Sequence, residues 1–132
     1  MTVAIARQVA LEVLMRVEAD DAYANLLLNQ LSTSKRLDSR NAALAQELAF
    51  GSLRRKNTLE AIINEVSSRP VVDLDPGVRA VLQLGVYQLL YTRIPVHAAL
   101  NESVEQSKAF AGGKASGLVN ASLRKVAQNL SL

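Results

Sequence analysis

Two polar pairs interrupt apolar-periodic helices near the end of this chain. Asn101 and Glu102 follow Leu100 in one, and Asn120 and Arg124 share a face in the next. An amide beside a carboxylate, and an amide one turn before a guanidinium, are hydrogen-bonding groups that a purely packing helix would not need. A polar group partly buried in a bundle needs a partner, because leaving it unpaired costs about 1–3 kcal/mol. Two uses follow. Glu102 can pair with a cation such as Arg79 or Arg124, so that Arg79, Asn101 and Glu102 form a network bracing the last helices. Alternatively, Asn120 and Arg124 can face outward and hold nucleic-acid phosphates or base edges. Bracing is the simpler reading.

Other chemistry is poorly supplied. The chain has no cysteine, so it contains no thiolate nucleophile and no disulfide. One histidine, His97, without cysteine does not make a zinc site, and no nucleophile or acid partner lies near it in sequence. No glycine-rich loop follows a strand, so a dinucleotide or S-adenosylmethionine fold is not expected. Gly112-Gly113 precedes a helix and could hold a phosphate on free amides, although a flexible turn explains it as well. Tyr87 and Tyr91 stand at i and i+4 on one helix face. That spacing predicts core-edge packing with wet hydroxyls in preference to a base-stacking platform. No catalytic residue is expected in this chain.

Charge points to a partner more than to a reaction. The net charge is +3, but residues 35–56 carry 6 basic and 2 acidic groups, whereas residues 1–34 carry 2 and 4. The positive charge gathers at Lys35, Arg36, Arg40 and Arg54-Arg55-Lys56, with a second group at Lys114, Arg124 and Lys125. Such clusters fit a polyanion, although short charge runs also arise as solvated helix ends. The longest charge-free runs, residues 22–34 and 80–92, are too short for the roughly 18 apolar residues of a membrane span. No export signal is visible at the N-terminus, and a cytoplasmic location is expected.

These residues must be positioned by helices, because every long segment reads at helical period and none alternates as a strand does. Val3, Ala6, Ala10, Val13, Leu14 and Val17 predict a first helix over 3–18, stopped by Asp20-Asp21. Tyr23, Leu27, Leu28 and Leu31 predict a short second helix ending at Ser32-Thr33-Ser34. Asp38 is placed to cap a third helix, which is expected to finish in Arg54-Arg55-Lys56, where cations suit the helix dipole. Leu59, Ile62, Ile63 and Val66 give a fourth. Residues 67–74 break the pattern, and Asp75-Pro76 reads as an N-cap followed by proline in the first turn. The densest apolar stripe follows, from Val78 to Leu89, and Gly85 within it would let another helix approach closely. Ile94-Pro95 ends this helix, and two more run over about 97–110 and 115–129. The fold class is therefore all-α, about seven helices in a single domain, with helical halves at about 1–68 and 75–132.

At these residues the chain resembles the NusB-like family. The run Asp75-Pro76, VRAVLQLGVYQLLY, IPVHAALNESVEQSK and GLVNASLRKV is similar to the second half of such a domain. Upstream, ARQVALEVLMRV resembles the opening helix and DSRNAALAQELAFGSLRRKNTLEAII the middle helices. The resemblance covers nearly the whole chain and implies a bundle of two packed helical subdomains that binds RNA.

Two branches share this pattern. One is the free-standing transcription antitermination factor NusB, which binds RNA together with a ribosomal protein. The other is the N-terminal domain of ribosomal RNA cytosine-C5 methyltransferases of the RsmB/Sun/Fmu type. Three features resemble the second branch: AFGSLRRKNTLEAII, QLGVYQLLYTRIPVHAALNESVE, and VNASLRKV with Leu-Arg where the free factor has Leu-Asp. The first helix also carries only Arg7 and Arg16, without the arginine cluster of the free factor.

The methyltransferase resemblance implies a non-catalytic module that positions ribosomal RNA for its own C-terminal methyltransferase domain. S-adenosylmethionine and the attacking cysteine would belong to that domain, encoded beyond residue 132, with no cofactor in this chain. Resemblance and charge together nominate Arg7, Arg40, Arg54, Arg55, Lys56, Lys114, Asn120 and Arg124 for RNA contact. A third reading is an interdomain docking scaffold that makes no RNA contact.

Overall fold

The computed structural model describes residues 2–17, 21–111 and 113–130, and they form seven α-helices with no strand among them. The helices fall into two compact units, Met1–Arg54 and Arg55–Leu132.

In the first unit, α1 (Thr2–Arg16), α2 (Asp21–Ser34) and α3 (Ser39–Arg54) pack on one another. Of the predicted α1 stripe, Ala6, Ala10, Val13, Leu14 and Val17 are buried, joined by Val9, and the side chain of Val3 lies outside the described residues. α1 packs on α2 and α3, in which Ala24, Leu27 and Leu28, and Ala45, Leu48 and Ala49, are buried as well. α2 closes in a Schellman turn. Leu37 N–H donates to the Ser32 carbonyl at 3.0 Å and Arg36 N–H to that of Thr33 at 3.1 Å. Arg36 therefore sits at φ 54°, in the left-handed region usually given to glycine. Asp38 then caps α3 as its sequence position predicts: its Oδ1 accepts from the Asn41 backbone N–H at 2.8 Å and from Asn41 Nδ2 at 2.9 Å. The expected stop of α1 at Asp20 lies outside the described residues; α1 ends at Arg16 and α2 opens at Asp21.

The second unit comprises α4 (Lys56–Val66), a short 3-10 turn (Val71–Asp73), α5 (Pro76–Tyr91), α6 (Val96–Ala111) and α7 (Gly113–Asn129). Of residues 77–89 in α5, all but Arg79 are buried. A helix that is apolar on every side must be enclosed, and α4, α6 and α7 all pack on it. Its two glutamines are accommodated by hydrogen bonding. Gln83 Nε2 donates to Glu60 Oε2 of α4 at 3.1 Å, and Gln88 Nε2 donates to the Leu84 carbonyl at 3.1 Å.

Gly85 is the point of closest approach. A Cβ there would stand 2.8 Å from Leu123 Cδ1 of α7 and 2.9 Å from Ser103 Oγ of α6. Gly112 lies outside the described residues, and Gly113 opens α7.

Two expectations are corrected. The division expected at about 68–75 falls instead at 54/55, because α4 packs on α5 and α7 and so belongs with the second half. Likewise, α3 does not run through Arg54-Arg55-Lys56. It ends at Arg54, Arg55 stands alone at φ −106°, ψ 18°, and Lys56 opens α4. The break at 67–74 is present but held: Asn64 Oδ1 accepts from Val71 N–H at 2.7 Å, and Arg69 Nη2 donates to the Asp73 carbonyl at 3.1 Å. Pro76 opens α5 as expected, while Asp75 makes no side-chain cap bond. At the other end Thr92, ahead of Ile94-Pro95, closes α5 by donating to the Gln88 carbonyl at 2.6 Å.

Gly85 and Gly117 give a matched pair of substitutions. Alanine gains about 1 kcal/mol of helix propensity over glycine, whereas overpacking a core costs about 1–3 kcal/mol. Gly85→Ala should lose about 1 kcal/mol net and several degrees of melting temperature, because Leu123 and Ser103 must move. Gly117→Ala, with nothing within 4 Å of its Cβ, should gain up to about 1 kcal/mol. Thermal unfolding followed by circular dichroism reads both signs.

Candidate nucleic-acid interface

The exposed cations sit mainly at helix ends, and several sit at the wrong end for the helix alone. A helix N-terminus carries roughly half a positive charge, so a cation there is unfavourable by about 0.3–1 kcal/mol. Yet Arg40 is the second residue of α3, Lys56 the first of α4 and Lys114 the second of α7, and none of these first turns contains an acid. In α3 the Asp38 carboxylate offsets the cation. At α4 nothing does, since Arg55 occupies the N-cap position without a side-chain cap bond.

In the first unit, Arg40 and Arg54 are exposed. The Arg54 guanidinium lies over the Phe50 ring at 5.9 Å from its centroid. Lys35 and Arg36 are exposed in the turn between α2 and α3. Arg7 does not join them. It is only 4% exposed within the packed stripe of α1, so its guanidinium cannot meet a phosphate in this conformation. A charged head group buried this far needs partners within the protein.

In the second unit, α4 and α5 run antiparallel, with Glu60 beside Gln83 and Arg55 beside Tyr91. The Arg55 guanidinium carbon lies 4.3 Å from the Tyr91 ring centroid. Tyr91 in turn stacks on Tyr87, with centroids 5.4 Å apart and an interplanar angle of 26°. Tyr87 is buried at 6% exposure, as core-edge packing predicts, whereas Tyr91 is 39% exposed. The result is a ladder from core to solvent: a buried ring, a half-covered ring, and an exposed guanidinium.

The last helices separate the two polar pairs. Arg124 Nε donates to Asn120 Oδ1 at 3.2 Å on the outward side of α7, leaving the rest of an exposed guanidinium for a partner. Lys114 is exposed at the start of the same helix. Asn101 is exposed and Glu102 half-buried, while the serine after them, Ser103, is fully buried against Gly85. Arg79 Nη2 donates to the Leu74 carbonyl at 3.0 Å, tying the start of α5 to the turn before it. That local bond, within the second unit, is what the structure shows of Arg79's bracing role.

In the sequence Arg55 stands out only by its charge, and its place over the Tyr91 ring has no local signal. The i, i+4 tyrosines were visible; their third member was not, because Arg55 meets Tyr91 only across the α4–α5 packing.

Comparisons with known proteins bear on the same residues. The model of the NusB family matches residues 4–128. A putative methyltransferase of Mycobacterium tuberculosis (strain ATCC 25618 / H37Rv) is 41% identical over 122 residues, covering 92% of this chain and 27% of that protein. The ribosomal RNA small subunit methyltransferase B of Klebsiella pneumoniae (strain 342) is 43% identical over 91 residues, covering 69% of this chain and 21% of its own. The chain therefore spans about a quarter of the length of these relatives. Among solved structures, the antitermination factors NusB and NusE in complex with double-stranded RNA include a chain of the same fold. It matches with a TM-score of 0.84 at 22% identity, covering 96% of each chain.

Burial separates Arg7 from the surface cations. Arg7→Ala should cost about 1–3 kcal/mol by stripping a buried, partnered group, whereas Arg40→Ala and Lys114→Ala should stay within about 0.5 kcal/mol. Denaturant midpoints check the contrast.

Proposed function

The chain belongs to the NusB family, and on that premise we propose that it is the non-catalytic RNA-binding module of a ribosomal RNA cytosine-C5 methyltransferase. In this reading it holds small-subunit ribosomal RNA for a catalytic domain elsewhere in a longer protein. The observation that supports the RNA role is the set of cations at the starts of α3, α4 and α7, exposed Arg40 and Lys114 and half-buried Lys56 preceded by exposed Arg55, without acids in those first turns. Outside α3, where Asp38 already caps the Asn41 amide, folding disfavours that arrangement, and a polyanion would satisfy it, because a phosphate is drawn both by the cation and by the first-turn amides beside it. The other exposed cations, Arg54, Arg55 and Arg124, would add phosphate contacts in their own units.

The methyltransferase assignment rests on the 41% and 43% identities to methyltransferases. Against the free-standing factor the likeness is one of fold, at 22% identity. Methyl transfer to carbon 5 of cytosine requires a thiolate to attack the ring and a methyl donor, S-adenosylmethionine. This chain has no cysteine. Its own contribution would thus be binding and orientation, with the cofactor and nucleophile supplied by the remainder of the protein.

Phosphate neutralisation has a salt signature. For about four phosphates contacted on a single strand, affinity should fall roughly 50-fold between 50 and 200 mM salt. Titrating the chain with small-subunit ribosomal RNA fragments at several salt concentrations measures this slope. Affinity that is absent, or that does not respond to salt, would remove the RNA role from this domain.

A further inference from the structure

We infer that the Arg55–Tyr91–Tyr87 ladder is a stacking site for an unpaired nucleobase, with the outer plane of the Arg55 guanidinium as the surface that receives it. The inference deepens the RNA-binding reading and rests on it. Charge alone assigns Arg55 a phosphate, which any cation could hold. Geometry assigns it something narrower.

The physical case begins with pre-organisation. A free arginine on a helix end samples many rotamers, and ordering it on binding costs roughly 2 kcal/mol of side-chain entropy. Here the guanidinium is already laid 4.3 Å over the Tyr91 ring. That ring is itself fixed by stacking on Tyr87 at 5.4 Å, and Tyr87 is anchored in the core at 6% exposure. Tyr87 is buried while Tyr91 and Arg55 are exposed, so the ladder presents a guanidinium, supported from the core, to the solvent. A guanidinium plane held in this way stacks an unpaired base as an aromatic ring does.

The surroundings suit a nucleotide better than a lone base. Lys56 adjoins Arg55 and opens α4, whose first-turn amides receive no side-chain cap. A phosphate next to the stacked base would meet both the ammonium and those amides. Such a phosphate also resolves the electrostatic misfit of Arg55 and Lys56 at a helix N-terminus. The stack supplies the position, and the cations supply the charge balance. A base paired within a duplex presents no free face, so this site selects single-stranded RNA.

Arg55→Lys tests this directly, because it keeps the charge and removes the plane. The probes are an unpaired ten-nucleotide RNA carrying one 2-aminopurine and the same sequence annealed to its complement. The unmodified chain should bind the single strand more tightly than the duplex and quench the 2-aminopurine emission. Arg55→Lys should weaken single-strand binding by about 5- to 150-fold, the range of one lost base stack. It should also abolish the quenching, while leaving duplex affinity, the salt slope and the melting temperature unchanged. Tyr91→Leu, which removes the guanidinium's support, should reproduce the loss and add little to Arg55→Lys in the double variant. Single-strand affinity and quenching that survive Arg55→Lys would overturn the inference and leave the RNA-binding reading intact. So would equal losses on both RNAs. No RNA binding by the unmodified chain would overturn both.

Discussion

The second half of this chain depends on enclosing α5. Burying a side chain such as Val or Leu is worth about 1.5–3 kcal/mol, and α5 presents apolar residues on every side, so no single neighbour could satisfy it. Three helices surround it, and the tightest seat is at Gly85, where the missing side chain admits Leu123 of α7 and Ser103 of α6. Much else in that unit follows from this seat. With α6 and α7 occupying their sides of α5, α4 lies along the helix in the antiparallel sense and is held by the Gln83–Glu60 hydrogen bond. The same alignment carries Arg55 to Tyr91. A packing constraint in the core thereby fixes the position of a surface group.

The polar pairs of the last two helices acquire different roles under the same constraint. Ser103 follows Asn101-Glu102 because only a small residue fits against Gly85. Asn120 and Arg124 instead bond to each other at 3.2 Å on a solvent-exposed part of α7. One motif thus marks how close α6 comes to α5, and the other marks a helix face free to meet a partner.

Electrostatics sets the character of that partner. Natural helices usually place acids in their first turns and cations in their last. Here Lys56 and Lys114 reverse the rule at α4 and α7, while at α3 the Asp38 cap offsets Arg40. Each reversal costs little, and a bound anion would convert each into a gain. Stability and binding are in mild opposition at such positions, which is common where a surface serves a ligand.

Most helices and the family were legible in the residues alone, because both are written in local signals. Apolar period, the Asp38 cap, proline in the first turn of α5 and the break at 67–74 each act within a few residues, so each could be read without knowing the fold. Gly85 was also legible, since a glycine inside the densest apolar stripe has little use except close approach.

What depends on distant residues meeting came only with the packed fold. It placed α4 with the second half, because membership follows packing and not the position of a proline-containing loop. It buried Arg7 in the α1 stripe, where charge counting had set it on the surface. And it turned Arg55 from one cation among several into the end of a stack. That arrangement needs a residue at position 55 to meet one at 91, and only the antiparallel seat of α4 on α5 brings them together.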